Sequence, residues 1–169
     1  MREQPRSTDL ITVLPSSGAA SFGKGVIGGL LRRCSDHHAV DAVVNHPDVR
    51  PFVGIGGPQG YLDHSAPVAR PENWFLLGEH GGFGLIWTAP GVHEVHTFIL
   101  KTGRGKWARA AARETIEYAR MNGDSMLWTR VHPAQGNVIA FATEMGMRPS
   151  GVTIETFGIP YLVFHMEID

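Results

Sequence analysis

Between Trp74 and Leu100 the chain repeats one theme, short runs of β-branched, aromatic and aliphatic residues broken by glycines or by Pro90 and Gly91. "NWFLLGEH", "GFGLIWTA" and "HEVHTFIL" each have the make-up of a strand, and the tight turns between them predict an antiparallel meander. The third run passes through "KTGRG" into "KWARAAARETIEYARM", where the hydrophobic period changes. Ala108, Ala112, Ile116 and Ala119 fall on one face, and Arg109, Arg113, Glu117 and Arg120 on another. That spacing predicts an amphipathic helix from about 106 to 121, ending at Asn122 and Gly123. Arg113 and Glu117 stand four apart on it and form the expected ion pair.

The flanking segments extend the pattern. "VIGGLLRRC" (26–34) predicts a first strand, and Ser35 or Asp36 caps a helix through "HHAVDAVVN" that stops before Pro47. "SMLWTRVH" reads as a fifth strand. "NVIAFATEMG" reads as a short helix capped by Asn137, with Val138, Ile139, Phe141, Ala142 and Met145 inward and Gly146 as its stop. The tail "GVTIETFGIPYLVFHMEI" gives two strands joined through Gly158, Ile159 and Pro160. The order is βαβββαβαββ, an α+β chain. Residues 46–73 carry five prolines and four glycines, too many breakers for any period, so they are expected to form a long loop with at most a short strand at Val49 to Val53. Loops of this length serve as lids or docking surfaces, or are passive insertions. Residues 1–25, rich in Ser, Gly, Pro and Thr, read as an arm outside a single domain over 26–169.

Composition narrows the classes of function. With 169 residues, 43% hydrophobic and 18% charged, the chain has the profile of one globular domain with a substantial core. A formal charge of -1 gives no overall electrostatic footprint for nucleic acid. The single cysteine, Cys34, excludes an internal disulfide framework and a cysteine-rich zinc site. No apolar run is long enough for a membrane span, and the first residues lack the pattern of a signal peptide. Nine histidines show no metal-ligand spacing, and adjacent His37 and His38 point to different faces, so no metal site is expected. "GIGGPQG" at 54–60 precedes a proline-rich loop instead of a helix, which breaks the context of a dinucleotide turn.

The strand that feeds a glycine-and-arginine turn at a helix start, together with the later "NVIAFATEMGMRPSG", resembles the GNAT superfamily of acyl-CoA-dependent N-acetyltransferases. The resemblance covers roughly Val26 to Asp169. "VNHPDVRPFVG" and "RGKWARAAARE" are similar to a GNAT-like branch common in tailed bacteriophages. The resemblance implies a central mixed, mostly antiparallel twisted sheet of about six or seven strands flanked by helices. It also implies acetyl-CoA as cofactor, its pyrophosphate on the backbone of Gly103, Arg104, Gly105, Lys106, Trp107 and Ala108, helped by the Arg104 and Lys106 side chains. The physical basis is that the first N–H groups of a helix lack internal partners and sit at its positive dipole end. Asn137 would face the pantetheine arm. Glu94 and His96, two apart on one strand face near the splay of the central strands, are the expected proton acceptors for an amine substrate.

The chain departs from that family's pattern in two places, the loop before the long helix and the later short helix. Trp107 stands where the family has its main glycine and Arg109 where it has Gly or Ala, so the cofactor either sits differently or is not held. Ala142 stands where many relatives carry a tyrosine general acid, and Tyr118 and Tyr161 are the replacements by residue type. The expected function is N-acyl transfer to an amine. The alternative is a structural component of a phage particle, docking neighbouring subunits through the arm and the proline-rich loop. Either way the protein is expected in the host cytoplasm, or incorporated in a virion.

Overall fold

A computed structural model describes residues 29–169; the arm over 1–25, and the first residues of the strand expected at 26–34, lie outside them. The described chain folds as seven strands and four α-helices. In chain order these are β1 (Arg32–Cys34), α1 (His37–Val44), α2 (Ser65–Ala69), β2 (Trp74–Gly78), β3 (Gly81–Ala89), β4 (Val92–Ile99), α3 (Lys106–Met121), β5 (Met126–Val131), α4 (Gly136–Glu144), β6 (Arg148–Thr156) and β7 (Ile159–Glu167). The strands make one sheet in the order β1-β2-β3-β4-β5-β7-β6. Every neighbouring pair is antiparallel except β4 with β5.

That exception shapes the molecule. β4 and β5 pair only through Val92, His93 and Glu94 against Met126, Leu127 and Trp128; beyond those three pairs the strands part. The joined end is fixed by a buried polar knot. His93 contacts the Asp124 carboxylate through Nδ1 at 2.8 Å and the Glu72 carbonyl through Nε2 at 2.8 Å, and its ring stacks on Trp74 at 4.2 Å.

Strand alternation divides the apolar residues between the two faces of the sheet. On one face Leu76, Phe83, Leu85, Leu127 and Phe164 pack beneath the alanine side of α3 (Ala108, Ala111, Ala112, Ala119) and beneath α4. On the other, Phe75 and Phe98 meet Val40 and Val44 of α1. Gly84 lies under those two rings, where a Cβ would stand 3.1 Å from Phe98 and 3.2 Å from Phe75. The ends of α3 match the expected span, and Asp36 caps α1 as anticipated.

The proline-rich segment differs from its reading. Val49 to Val53 is not a strand: Pro51 has no N–H to give a ladder, and the chain makes a 3₁₀ turn over Arg50–Phe52. The Arg50 guanidinium then gathers the carbonyls of Val53, Pro58 and Gly60 at 2.7–3.0 Å. The short helix α2 also lies in this segment. On α3, Glu117 pairs with Arg120 instead of Arg113. Asn137 is not a cap, because α4 starts one residue earlier, after Gln135, and has no side-chain cap.

Candidate functional site

Where β4 and β5 diverge, the sheet opens into a cleft of about 1170 Å³. Its walls are β4, the start of α3, α4, the 46–73 segment and the β6–β7 turn. The volume exceeds the upper range for drug-sized ligands, which suits a long ligand or two ligands together.

One end of the cleft is the start of α3. Gly105 precedes the helix at φ 100°, a left-handed conformation that favours glycine, and a Cβ there would meet nothing within 4 Å. No side chain caps this helix. The N–H groups of Gly105, Lys106, Trp107 and Ala108 have no hydrogen-bond partner among the described residues, the first helical bond running from Arg109 to Gly105. Four unpartnered donors thus gather at a positive dipole end, where Gly105 and Ala108 line the cleft.

The residues expected at this end separate. Arg104, Gly105 and Ala108 line the cleft, while Gly103, Lys106 and Trp107 do not. Gly103 is buried against His80, where a Cβ would come within 2.4 Å. Lys106 is exposed. Helical geometry carries Trp107 away from the opening: it packs on the core and meets the His80 ring edge-on at 5.2 Å. Its bulk therefore does not fill the cradle, which removes the steric objection raised by its place in the sequence. Arg104 donates to the Asp48 carbonyl at 2.8 Å and lies over the Phe52 ring. Asn137 lines the cleft from the first turn of α4 and makes no side-chain hydrogen bond to a described residue.

Farther along, His96, Arg130 and Tyr161 line the cleft, and Glu94 lies buried behind them and does not line it. Glu94 is buried and accepts two hydrogen bonds from Arg130, Nε to Oε1 at 2.6 Å and Nη2 to Oε2 at 2.8 Å. His96 Nε2 stands 3.5 Å from Glu94 Oε2, so the two share a face as expected. Burial would push the Glu94 carboxyl up, but bonds from His96 and Arg130 outweigh it and hold the pKa down at about 2. Glu94 is thus a fixed anion beside His96.

A second imidazole, which sequence reasoning missed, lines the same face. His64 Nδ1 lies 2.8 Å from Oδ1 of buried Asp41, and the same oxygen accepts the His64 backbone N–H at 2.9 Å. A carboxylate only accepts, so Nδ1 donates to Asp41, and Nε2 makes no hydrogen bond to a described residue. Tyr161 also lines the cleft, donating to the Ile55 carbonyl at 2.6 Å. Burial raises its pKa, offset in part by Arg130. Tyr118 instead packs edge-on against Trp74, and Ala142 is buried beneath α4 with Phe141 as its cleft-facing neighbour.

No protein-family model matches the sequence, and no curated protein matches it. Solved structures do match. The spermidine N-acetyltransferase of Vibrio cholerae, in complex with CoA and spermine, superposes with a TM-score of 0.63 at 12% identity, covering 82% of this chain and 94% of that one. The fold is that of the GNAT acetyltransferases. The ribosomal-protein-alanine N-acetyltransferase of Brucella melitensis gives 0.57 at 16% identity over 82% and 99% of the two chains. A GNAT-family acetyltransferase of Bacillus anthracis gives 0.56 at 15% identity over 80% and 90%. Among the described residues no three His, Cys, Asp or Glu side chains converge as a metal site, and no helix is long and apolar enough to cross a membrane.

Proposed function

We propose that the protein is an N-acyltransferase that takes its acyl group from acetyl-CoA and passes it to an amine. The observation that carries this reading is the row of unpartnered N–H groups at the start of α3, opening onto a cleft between parted strands. The residues present fit the cofactor. The backbone from Gly105 to Ala108 would hold the pyrophosphate, and Asn137 the pantetheine arm. When bound, acetyl-CoA supplies an activated acyl group.

The chain's own groups do the rest. His96 accepts a proton from the acceptor's ammonium, and Glu94, anchored by Arg130, orients the ring. The Val95 carbonyl points toward β5, where it accepts from Thr129 Oγ1 at 2.8 Å. Alternation puts the Thr97 N–H on the same edge, past the last β4–β5 pair, as a donor aimed into the splay. Tyr161 keeps its proton at neutral pH and is the cleft's phenol. The 46–73 segment supplies His64 and walls the cleft. That use favours a transferase over a particle component whose loop docks neighbouring subunits.

The test is calorimetric titration with acetyl-CoA. Micromolar affinity, about -8 kcal/mol, is expected for the unaltered protein. Arg104→Glu, which places a carboxylate beside the cradle, should weaken it at least about tenfold with the far-UV spectrum unchanged. Equal affinity in both would remove the site. His96→Ala should bind acetyl-CoA normally and lose about 10²-fold or more in kcat.

A further inference from the structure

Four carboxylates stand in or directly behind the cleft, and each already has a partner. Glu94 is bound by Arg130, Asp41 by His64, and Glu144 by Arg109 at 2.6 Å. Asp48 Oδ2 accepts the Lys101 N–H at 3.0 Å. An acceptor that carries several ammonium groups therefore meets only one carboxylate among these, Asp48, that is not held by an arginine or an imidazole hydrogen bond, fewer than a polyamine needs.

The cations show the opposite. Arg130 and Arg109 hold carboxylates, and Arg104 donates to the Asp48 carbonyl. Arg70 follows α2 and lines the cleft at its exposed rim; its backbone N–H closes the helix on the Pro67 carbonyl, and its guanidinium donates no hydrogen bond to a described residue. His64 and Arg70 flank α2, so this short helix brings an imidazole and a guanidinium to one wall. The surface beside them is apolar, formed by Leu62, Ile86 and Phe98. A guanidinium fork matches a carboxylate in two parallel hydrogen bonds.

We propose that the acceptor is an amine that also bears a carboxylate and an apolar body of aromatic size, with Arg70 as the carboxylate anchor and Leu62, Ile86 and Phe98 as the wall for the body. The inference rests on the transferase reading above and narrows its substrate class. The transfer forms an amide N–C bond and breaks the thioester C–S bond. The ammonium gives up two protons, one ending on the thiol and the other passing through His96 to solvent.

The experiment uses the full chain and three amines: phenylalanine, phenethylamine, which lacks the carboxylate, and spermidine. Each is titrated calorimetrically, with and without CoA, into the unaltered protein and into Arg70→Ala, and each is assayed for acetylation. Phenylalanine is expected to bind and react best. Arg70→Ala should raise its Kd and KM by about tenfold to a hundredfold, the worth of a charged hydrogen-bonded pair, and leave phenethylamine unchanged. Phenethylamine binding as well as phenylalanine, a preference for spermidine, no phenylalanine binding in either state, or an equal loss for both amines in Arg70→Ala would each overturn the proposal. A separate acetyl-CoA titration decides the transferase reading, so acetyl-CoA binding without phenylalanine binding sinks the substrate class alone.

Discussion

Glu94 is a base by residue type and an anchored anion by environment. Its pKa in the folded chain, about 2, lies below the ordinary value of 4.5. Such a group stabilises the fold in full above about pH 4.5, and that contribution is lost as pH falls toward 2. The loss amounts to roughly 3 kcal/mol, and Glu94→Gln should remove this part of the acid limb in denaturant titrations across that window. An unchanged limb would mean the Arg130 bond is not holding the carboxylate. Trp107 shows the converse, a residue whose place in the sequence misleads about its role. Because its ring lies on the core beside His80, Trp107→Ala should cost about 2–3 kcal/mol of stability and leave acetyl-CoA affinity within about twofold. A large affinity loss with little destabilisation would return Trp107 to the cradle. Glu94 and His96 could be paired from period-2 spacing alone. His64 and Asp41 could not, since they lie 23 residues apart with a proline-rich segment between them, and no local pattern encodes a contact made by a loop.

At the scale of elements, the strands and the long helix were legible because each buries one face and so repeats with its own period. The meander, α3 and the two terminal strands come from that repetition alone. The 46–73 segment was not, because its shape is set by hydrogen bonds that have no period: Arg50 gathering carbonyls and Tyr161 reaching Ile55 from β7. The same logic applies where the described chain begins. The Glu114 carboxylate on α3 accepts the N–H groups of Leu30 and Leu31 at 3.1 Å, tying the approach to β1 onto a helix more than 80 residues away. Glu114→Ala leaves those donors without their partner, and should cost about 1–3 kcal/mol. The loss should be accompanied by faster hydrogen exchange in β1 and β2 while β5 to β7 stay protected. Uniform exchange across the sheet would show that Glu114 does not act locally.

At the scale of the whole molecule, the parted strands impose a cost that a ligand can offset. β1 to β4 join β5 to β7 through three residue pairs, the His93–Asp124 knot and side-chain bonds from Arg130 to Glu94 and from Thr129 to Val95; farther along the halves face each other across the cleft, bridged by Arg109 and Glu144 between α3 and α4. A ligand held by the α3 N-terminus and by α4 touches both halves. It binds only the folded chain, so its free energy adds to stability as RT ln(1 + [L]/Kd), about 2.7 kcal/mol at a hundredfold excess over Kd. For a domain of this size that corresponds to a rise in Tm of about 5–10 °C. Hydrogen exchange should slow most along the β5-facing edge of β4 beyond Glu94, which is paired only to β3, and at the uncapped start of α4. Arg104→Glu should melt near the unaltered protein but show little of the rise. A Tm unmoved by acetyl-CoA in the unaltered protein would mean that the ligand does not span the cleft, and that the halves are held by the chain's own strand pairs, side-chain bonds and helices.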